Sequence, residues 1–579
     1  MKLETFFEKF DQFADAPGAV EKMRELVLRM ATSGRIAEQN PADQPGSELL
    51  EEIFAVRDSL IKRGTAKNRV EGNPITAGDT IDLPSSWARC MISEVCDLQT
   101  GATPSRAEHS YFGGDTPWLV SGDINKGEIT ECDGRITKEG LENSNCKIIP
   151  VNSVLIALNG QGKTRATVAV LRIPAALNQS LVAMIPYSGE RLLPEYIFWN
   201  LRGRYYAIRD ITGQDQRRGL NMKLVGQLSL PIPPLAEQKR IVAKVDELMA
   251  LCDRLETQQQ ERETRHAALA RASLTRFADA PTPANLQFLF HKSYTIPPAD
   301  LRKSILTLAV QGKLVPQDPN DEPAEELFEK IQTERAQQEA TGAYKSAKSL
   351  PPIGESEVPF KLPVEWKWAR LRSLVFTLGD GLHGTPEYSD GTDCYFINGN
   401  NLVDGRIVIK PHTKTVSLDE ARKHRKPMTL STVLVSINGT LGSVAFYNNE
   451  NVILGKSACY FNLASLVDKQ FVRRVIESPY FINYASDNAT GTTIRNLGLK
   501  AMNHFPIPLP PLAEQRRIVA KVDQLMALVD ALETQLATSR ATAENLLNAV
   551  ITELTKSSQS DRNPARGRKL NKPNLKLLS

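Results

Sequence analysis

The sequence predicts an α+β protein built twice: two mixed α/β domains separated by long antiparallel coiled-coil-like helices, related by an internal pseudo-two-fold repeat. Three observations predict it. Residues 233–256, PPLAEQKRIVAKVDELMALCDRLE, return 277 positions later as residues 510–533, and only four of the 24 positions differ (Lys239/Arg516, Glu247/Gln524, Cys252/Val529, Arg254/Ala531). Residues 23–53 have a looser echo at 301–331, with twelve of 31 positions identical. Between these repeats, two segments of short β-branched runs keep a common frame of turns while their residues differ.

Taken in order, residues 1–82 form an N-terminal helical segment and linker, helical over 1–56. A helix ends at Gly34, a Pro-Asp turn follows, and a second helix begins near Ser47; the echo repeats this at Gly312 and Ala324. The linkers, 57–82 and 335–361, are polar, aperiodic and end in Leu-Pro-x-x-Trp, at Leu83-Pro84-Trp87 and Leu362-Pro363-Trp366. The mixed domains occupy 83–232 and 362–509, and 233–361 is a central helical region with its linker. Residues 510–556 make a C-terminal helix, and 557–579 a disordered basic tail carrying Arg562, Arg566, Arg568, Lys569, Lys572 and Lys576.

The near-identical segments are the helices. Tandem prolines lead in, and Glu237 or Glu514 sits in the first turn, where the helix dipole favours an acid. Apolar residues recur at Ile241, Val245, Leu248, Cys252 and Leu255, and at Ile518, Val522, Leu525, Val529 and Leu532. This 4-3-4-3 spacing is a heptad seam. A stripe buried in an ordinary core is the plainer reading; recurrence after each mixed domain favours two helices packed seam against seam as a spacer. Each helix extends to about 40 residues, roughly 60 Å at 1.5 Å per residue.

Composition excludes several classes. Apolar content of 41% and charged content of 24% describe a soluble globular protein. No apolar run is long enough to span a membrane, and the acidic N-terminus is unlike a signal peptide, so a cytoplasmic location is expected. Seven scattered cysteines without a CxxC predict reduced thiols, not disulfides or zinc. The net charge of +4 permits a nucleic-acid partner without arguing for one.

No catalytic motif survives inspection. Residues 159–164, Asn-Gly-Gln-Gly-Lys-Thr, end like a phosphate-binding loop, but Ala157 stands where its first glycine belongs, and the second copy (438–443) has no lysine. A strand, an Asn-Gly turn and a second strand describe both copies better as hairpins. HExxH, GxSxG and a dinucleotide fingerprint are all missing. Polar and basic turn residues suit phosphates and base edges instead. In the first domain they are Thr103, Ser105 and Arg106; Gln161, Lys163 and Arg165; and Gln214, Gln216, Arg217 and Arg218. In the second they are His383, Thr385 and Tyr388; Asn438 and Thr440; Lys456; and Thr492, Thr493, Arg495 and Asn496. One such cluster is ordinarily a solvated loop; recurrence at matching places in both copies favours a function.

The Pro-Leu-x-Glu-Gln-x-x-Ile signature, at Pro234, Leu235, Glu237, Gln238 and Ile241 and again at Pro511, Leu512, Glu514, Gln515 and Ile518, resembles that of the specificity subunit of type I restriction–modification enzymes. The resemblance spans nearly the whole chain. It implies two target-recognition domains, each reading half of a split site in double-stranded DNA, without catalysis in this chain. It also implies partners: two modification (methyltransferase) subunits that methylate adenine, and restriction/translocase subunits. S-adenosylmethionine, ATP and Mg are then expected on those partners and no cofactor here. The alternative is a coiled-coil assembly scaffold without direct DNA readout.

Overall fold

The computed structural model describes residues 7, 13, 14, 16–67, 70–77, 83–160, 163–212, 219–291, 293–344, 350–491 and 494–556. The chain divides into two compact units: residues 1–261 with 540–579, and residues 262–539.

Unit 1 opens with α1 (Ala19–Thr32) and α2 (Gly46–Lys62). Past the end of α1, Gly34 has φ of 70°, and the Arg35 amide turns back onto the Met30 carbonyl at 2.9 Å. A Cβ on Gly34 would come within 2.6 Å of Pro84 Cγ and 3.0 Å of the Trp87 ring. The helix-ending glycine and the Leu-Pro-x-x-Trp motif, separate in sequence, are therefore one packing contact. The strands of the main sheet and of the pair beside it are β1 (Ala88–Met91), β2 (Cys96–Thr100), β3 (Glu128–Ile129), β4 (Val154–Ala157), β5 (Val168–Leu171), β6 (Leu181–Pro186) and β7 (Ser229–Ile232), and Phe112–Leu119, Arg135–Ile136 and Ala176–Leu177 form a smaller sheet. Five form a sheet in the order β2-β6-β4-β5-β3, and β1 pairs antiparallel with β7 (Ala88↔Ile232). The main sheet is covered on both faces, which is why β4 to β6 read as apolar runs. Val154, Ile156, Val168, Val170, Val182 and Met184 face the core shared with the helices; Leu155, Ala157, Ala169, Leu171, Leu181 and Ala183 face a second core. Helices α3 (Pro194–Gly203) and α4 (Tyr205–Asp210) follow the sheet, and α5 (Leu235–Asp279) leaves the unit.

Unit 2 repeats the plan with α6 (Pro298–Val310), α7 (Ala324–Ala340), β8 (Lys367–Arg370), β9 (Val375–Asp380), β10 (Thr432–Ser436), β11 (Val444–Phe446), β12 (Ala458–Leu463), α8 (Lys469–Glu477), α9 (Pro479–Asn488), β13 (Pro506–Leu509) and α10 (Leu512–Lys556). Its main sheet is antiparallel, in the order β9-β12-β10-β11, and β8 pairs with β13 (Lys367↔Leu509). Gly312 (φ 69°) meets Pro363 Cγ at 2.5 Å from its ideal Cβ, as Gly34 meets Pro84.

The Glu-Gln of each signature is a structural lock. The Glu237 carboxylate is 1% exposed and accepts hydrogen bonds from Trp87 Nε1 at 2.9 Å and from Gln39 Nε2. Glu514, equally buried, accepts from Trp366 Nε1 at 2.9 Å and Gln317 Nε2 at 2.6 Å. Gln238 Oε1 accepts the Leu193 amide just before α3, and Gln515 Oε1 accepts the Asp468 amide just before α8. Each long helix is thereby tied at its first turn to the Trp motif and to the helix that follows the sheet.

Two expectations are corrected. The seams do not bury one another. Ile241, Val245, Leu248 and Cys252 lie in the core of unit 1 with Met23, Val27, Ile197 and Leu201, and Leu255 packs at its edge. Ile518, Val522, Leu525 and Val529 lie in the core of unit 2 with Ile305, Leu308, Val472 and Val475, with Leu532 at its edge. The plainer reading was right for these stripes, because α1 and α6 bring apolar faces of their own. The distal part of each long helix completes the other core: Ala543, Leu547 and Leu554 of α10 join the first, Ala270 and Phe277 of α5 the second. The linkers also start later than expected, since α2 runs to Lys62 and α7 to Ala340. Both long helices reach 45 residues. Residues 557–579, the basic tail, lie outside the described residues. All seven cysteines are buried free thiols. Among the described residues no helix is long and apolar enough to cross a membrane.

Candidate nucleic-acid interface

Antiparallel pairing places the end of one strand beside the start of the next, so the loops at one end of each main sheet gather into a rim. In unit 2 the rim is built by backbone bonds between four loops. The Lys456 amide donates to the Leu382 carbonyl at 2.9 Å, and the Ile437 amide to the Ser457 carbonyl at 2.9 Å. The Gly439 amide donates to the Arg495 carbonyl at 3.0 Å, and the Leu497 amide to the Ile437 carbonyl at 2.8 Å. Asn438 also pairs with Asn496, which closes a small hairpin with Thr490. The predicted residues His383, Asn438, Thr440, Lys456, Arg495 and Asn496 thus sit on one continuous edge. The His383 Nε2 lies 2.5 Å from Asp380 Oδ2, which orients the ring while leaving it mostly in solvent.

Unit 1 has the same wiring. The Ala102 amide donates to the Leu177 carbonyl at 2.9 Å, Leu158 to Ser180 at 2.8 Å, and Leu220 to Leu158 at 3.0 Å. Thr103 Oγ1 bonds Gln179 Oε1 at 2.6 Å, and Ser105 and Arg106 follow exposed on the same loop. Thr103 and Gln179 line a cleft of about 490 Å³ together with Asn145 and Lys147. Those last two, and Gln179 as a contact, were missed by the sequence reading. What brings them in is the Cys146 thiol, 3.1 Å from the Ala102 carbonyl, and no spacing in the sequence announces it. Lys163 is exposed on the turn between β4 and β5, and its carbonyl accepts from Tyr205 Oη at 2.6 Å. Arg209 Nη1 in turn reaches Tyr205 Oη at 2.8 Å and the Arg165 carbonyl at 3.1 Å, so α4 holds the turn in place. Among the described residues, the Arg106, Lys163, Lys456 and Arg495 side chains have no ion-pair or hydrogen-bond partner, which leaves four cations facing solvent.

Arg165 and Tyr388 depart from expectation. Arg165 is only 9% exposed, packed beneath the turn where Arg209 reaches its carbonyl, so it supports the loop and does not face a ligand. Tyr388, although half-exposed, pairs with Val416, which pairs with Cys394 at the start of its strand; the rim lies beyond Ile397 at the other end. The loop carrying it has run down the sheet edge. Gln161, Gln214, Gln216, Arg217, Arg218, Thr492 and Thr493 lie outside the described residues, and Thr385 is exposed beside His383. The strand–turn–strand order around Lys163 (Val154↔Val170) has no helix N-terminus after the turn, so the geometry of a phosphate-binding loop is not formed. Among the described residues no group of three or more His, Cys, Asp or Glu side chains could hold a metal ion.

Residues 84–263 and 363–539 each match the family model described as the type I restriction modification DNA specificity domain. The EcoEI specificity subunit of Escherichia coli is 26% identical over 92% of this chain and 93% of its own. The EcoAI specificity subunit of the same organism is 27% identical over the same shares. A solved HsdS subunit from Thermoanaerobacter tengcongensis aligns with 83% of this chain and 100% of its own, at 19% identity and a TM-score of 0.41.

Proposed function

The chain belongs to the type I restriction–modification DNA specificity family, and from that membership we propose how its two rims and their supports divide the work. It is a DNA sequence-specificity subunit in which each mixed domain reads one half of a bipartite site. The observation that carries this is the pairing of two domain matches with two rims of the same backbone wiring and different side chains.

In unit 1, Thr103, Ser105, Arg106 and Lys163 are the proposed DNA contacts, joined by Lys147 from the adjoining cleft. In unit 2 they are His383, Thr385, Asn438, Thr440, Lys456, Arg495 and Asn496. Lysine and arginine without internal partners suit phosphates, and asparagine suits adenine edges. The subunit acts without catalysing, within a complex whose modification subunits methylate adenine using S-adenosylmethionine. The exposed faces of the long helices are the proposed docking surface for those subunits. ATP and Mg belong to the restriction subunits.

The test is methylation. The chain and its modification subunits are given a random DNA library, and modified adenines are mapped. One split sequence is expected; exchanging residues 83–232 for the same domain of a relative then changes one half of it and spares the other. Altered bases in both halves would refute modular reading. No DNA binding by the assembled complex at low salt would return the scaffold alternative.

A further inference from the structure

Unit 1 has a second charged feature that the rim does not absorb. A cleft of about 1080 Å³ opens between α1 and the α3–α4 pair, and Lys163 stands at its edge. Among the described residues, six cations line it, Arg24, Arg29, Lys163, Arg202, Arg204 and Arg209, against two carboxylates, Glu21 and Glu25. Some of these cations are already used. Arg24 pairs with Asp253 and Glu256 at 2.6 Å each, and Arg204 holds the Ser229 carbonyl at 2.7 Å. Arg29 and Arg202 are different. Both reach solvent, and neither has an ion pair among the described residues; Arg202 lies over the Phe198 and Trp199 rings at 5.5 and 5.3 Å. An aromatic bed keeps the guanidinium flat and aimed without neutralising it.

The second unit says what is special about this charge, because the repeat fixes the equivalent positions. Arg24 on its Asp253–Glu256 pair matches Arg302 on Asp530–Glu533. Five residues on, Arg29 is therefore matched by Thr307. Gln238 caps Leu193 as Gln515 caps Asp468, so nine residues on Arg202 is matched by Glu477. Glu477 is paired with Arg473 and Arg474 at 2.6 and 2.9 Å. Beside the equivalent helices unit 2 has a hollow of about 920 Å³ lined by Thr307, Tyr480 and Tyr484 together with Glu357, Asp487, Lys500 and His504, and Glu477 is not among its lining residues. The two matched positions are therefore cationic in one copy, and a threonine and an ion-paired glutamate in the other. Packing does not require the charge, since unit 2 folds on the same plan without it.

We infer that the α1–α3–α4 cleft of unit 1 is a track for the sugar–phosphate backbone of duplex DNA, in which Arg29 and Arg202 grip phosphates beyond the half-site that this unit reads. The inference rests on the rim being the DNA-reading edge, because Lys163 belongs to both. It makes the two ends of the bound site unequal: flanking DNA matters on the unit 1 side alone.

The experiment uses the full chain assembled with its modification subunits and duplexes bearing the mapped site, either flush at both ends or extended by ten base pairs at one end. Binding is measured across a salt series. Wild type is expected to gain affinity from one extension and not the other, with a slope of log K on log salt steeper by about 1.8, two phosphates at about 0.9 each. Arg29→Gln with Arg202→Gln removes that gain and leaves the methylated sequence unchanged. Arg29→Gln alone, an exposed helix position, removes half of the extra slope and guards against misfolding of the double variant. Equal slopes for wild type and double variant on the extended duplex would overturn the track. Loss of subunit assembly at an unchanged slope would also overturn it, assigning the cleft to a protein partner. Lys163→Ala separates the two layers: if it weakens binding while the arginine variants do not, the track alone fails; if it and Arg495→Ala are both silent, the rim reading fails and takes the track with it.

Discussion

Trp87, Glu237 and Gln39 in unit 1 make the same buried contact as Trp366, Glu514 and Gln317 in unit 2, whereas the rim loops beside the same strands have changed. Gln179 stands where the second rim has Lys456, and the turn bearing Lys163 has no lysine in its second copy. The difference follows from burial. Each lock residue meets several fixed neighbours, so a change at one place leaves an unsatisfied polar group at another. A rim side chain faces water, and its replacement costs the fold little. A duplicated gene under this constraint keeps its locks and varies its rims, which is what a protein with one architecture and two DNA targets needs.

The largest expected effect breaks the frame. Val245→Asp and Val522→Asp each bury an uncompensated carboxylate at a fully enclosed position, a cost of about 4 kcal/mol. Because the two valines lie in different cores, the costs are expected to add within about 0.5 kcal/mol. Urea unfolding followed by tryptophan fluorescence checks this. A coupling of several kcal/mol would restore the seam-on-seam packing that the structure replaces.

The rim gives an intermediate effect. Lys163→Ala and Arg495→Ala each should flatten the salt dependence of DNA binding by about 0.9, with a loss of roughly 1 kcal/mol at moderate salt. Arg165→Ala should do the reverse: a lower melting temperature from the buried side chain, and an unchanged salt slope. An Arg165 variant that melts normally but flattens the slope would put this residue back on the binding face.

This contrast also marks what was legible in the sequence. The repeats, the glycine stops at Gly34 and Gly312 and the two long helices, about 40 residues by pattern against 45 in the structure, follow from local rules. The turn between β4 and β5 was identified as a hairpin for the same reason. Partners in three dimensions were not legible. A heptad seam specifies that something apolar covers it, and in this chain that is α1 or α6, 200 residues or more from the seam. Arg165 and Lys163 are two positions apart on one polar turn, yet one is buried and the other exposed, because α4 packs on one side of the loop. Lys147 lines the rim cleft next to Cys146, whose thiol donates to the Ala102 carbonyl and whose side chain packs with Ala102, Trp118 and Leu141.

The smallest expected effect concerns the charge inside the locks. Burial is the leading influence on Glu237 and raises its pKa above the usual glutamate value near 4.5, against the hydrogen bonds from Gln39 and Trp87, which lower it. Glu514 has the same balance with Trp366 and Gln317. Asp43, paired with Arg240 nearby, and its counterpart Asp321, paired with Arg517, complete each surrounding. A carboxyl with a raised pKa holds its proton more tightly folded than unfolded. Its contribution is therefore most favourable below the usual value and declines as pH rises through the window between the usual and the raised value. Glu237→Gln and Glu514→Gln remove this dependence. In Glu237→Gln the amide oxygen can keep both donors, since Gln39 and Trp87 share Oε1, whereas Glu514→Gln requires Gln317 to turn over because Gln317 and Trp366 use different oxygens; neither cost varies with pH. The readout is consequently the slope: the melting temperature of the variant minus that of wild type should increase from pH 4 to pH 7. If hydrogen bonding outweighed burial, the difference would decrease over the same range. A rise for one glutamate and a fall for the other would show that the two locks, built from the same three residue types, have diverged in electrostatics as the rims have in sequence.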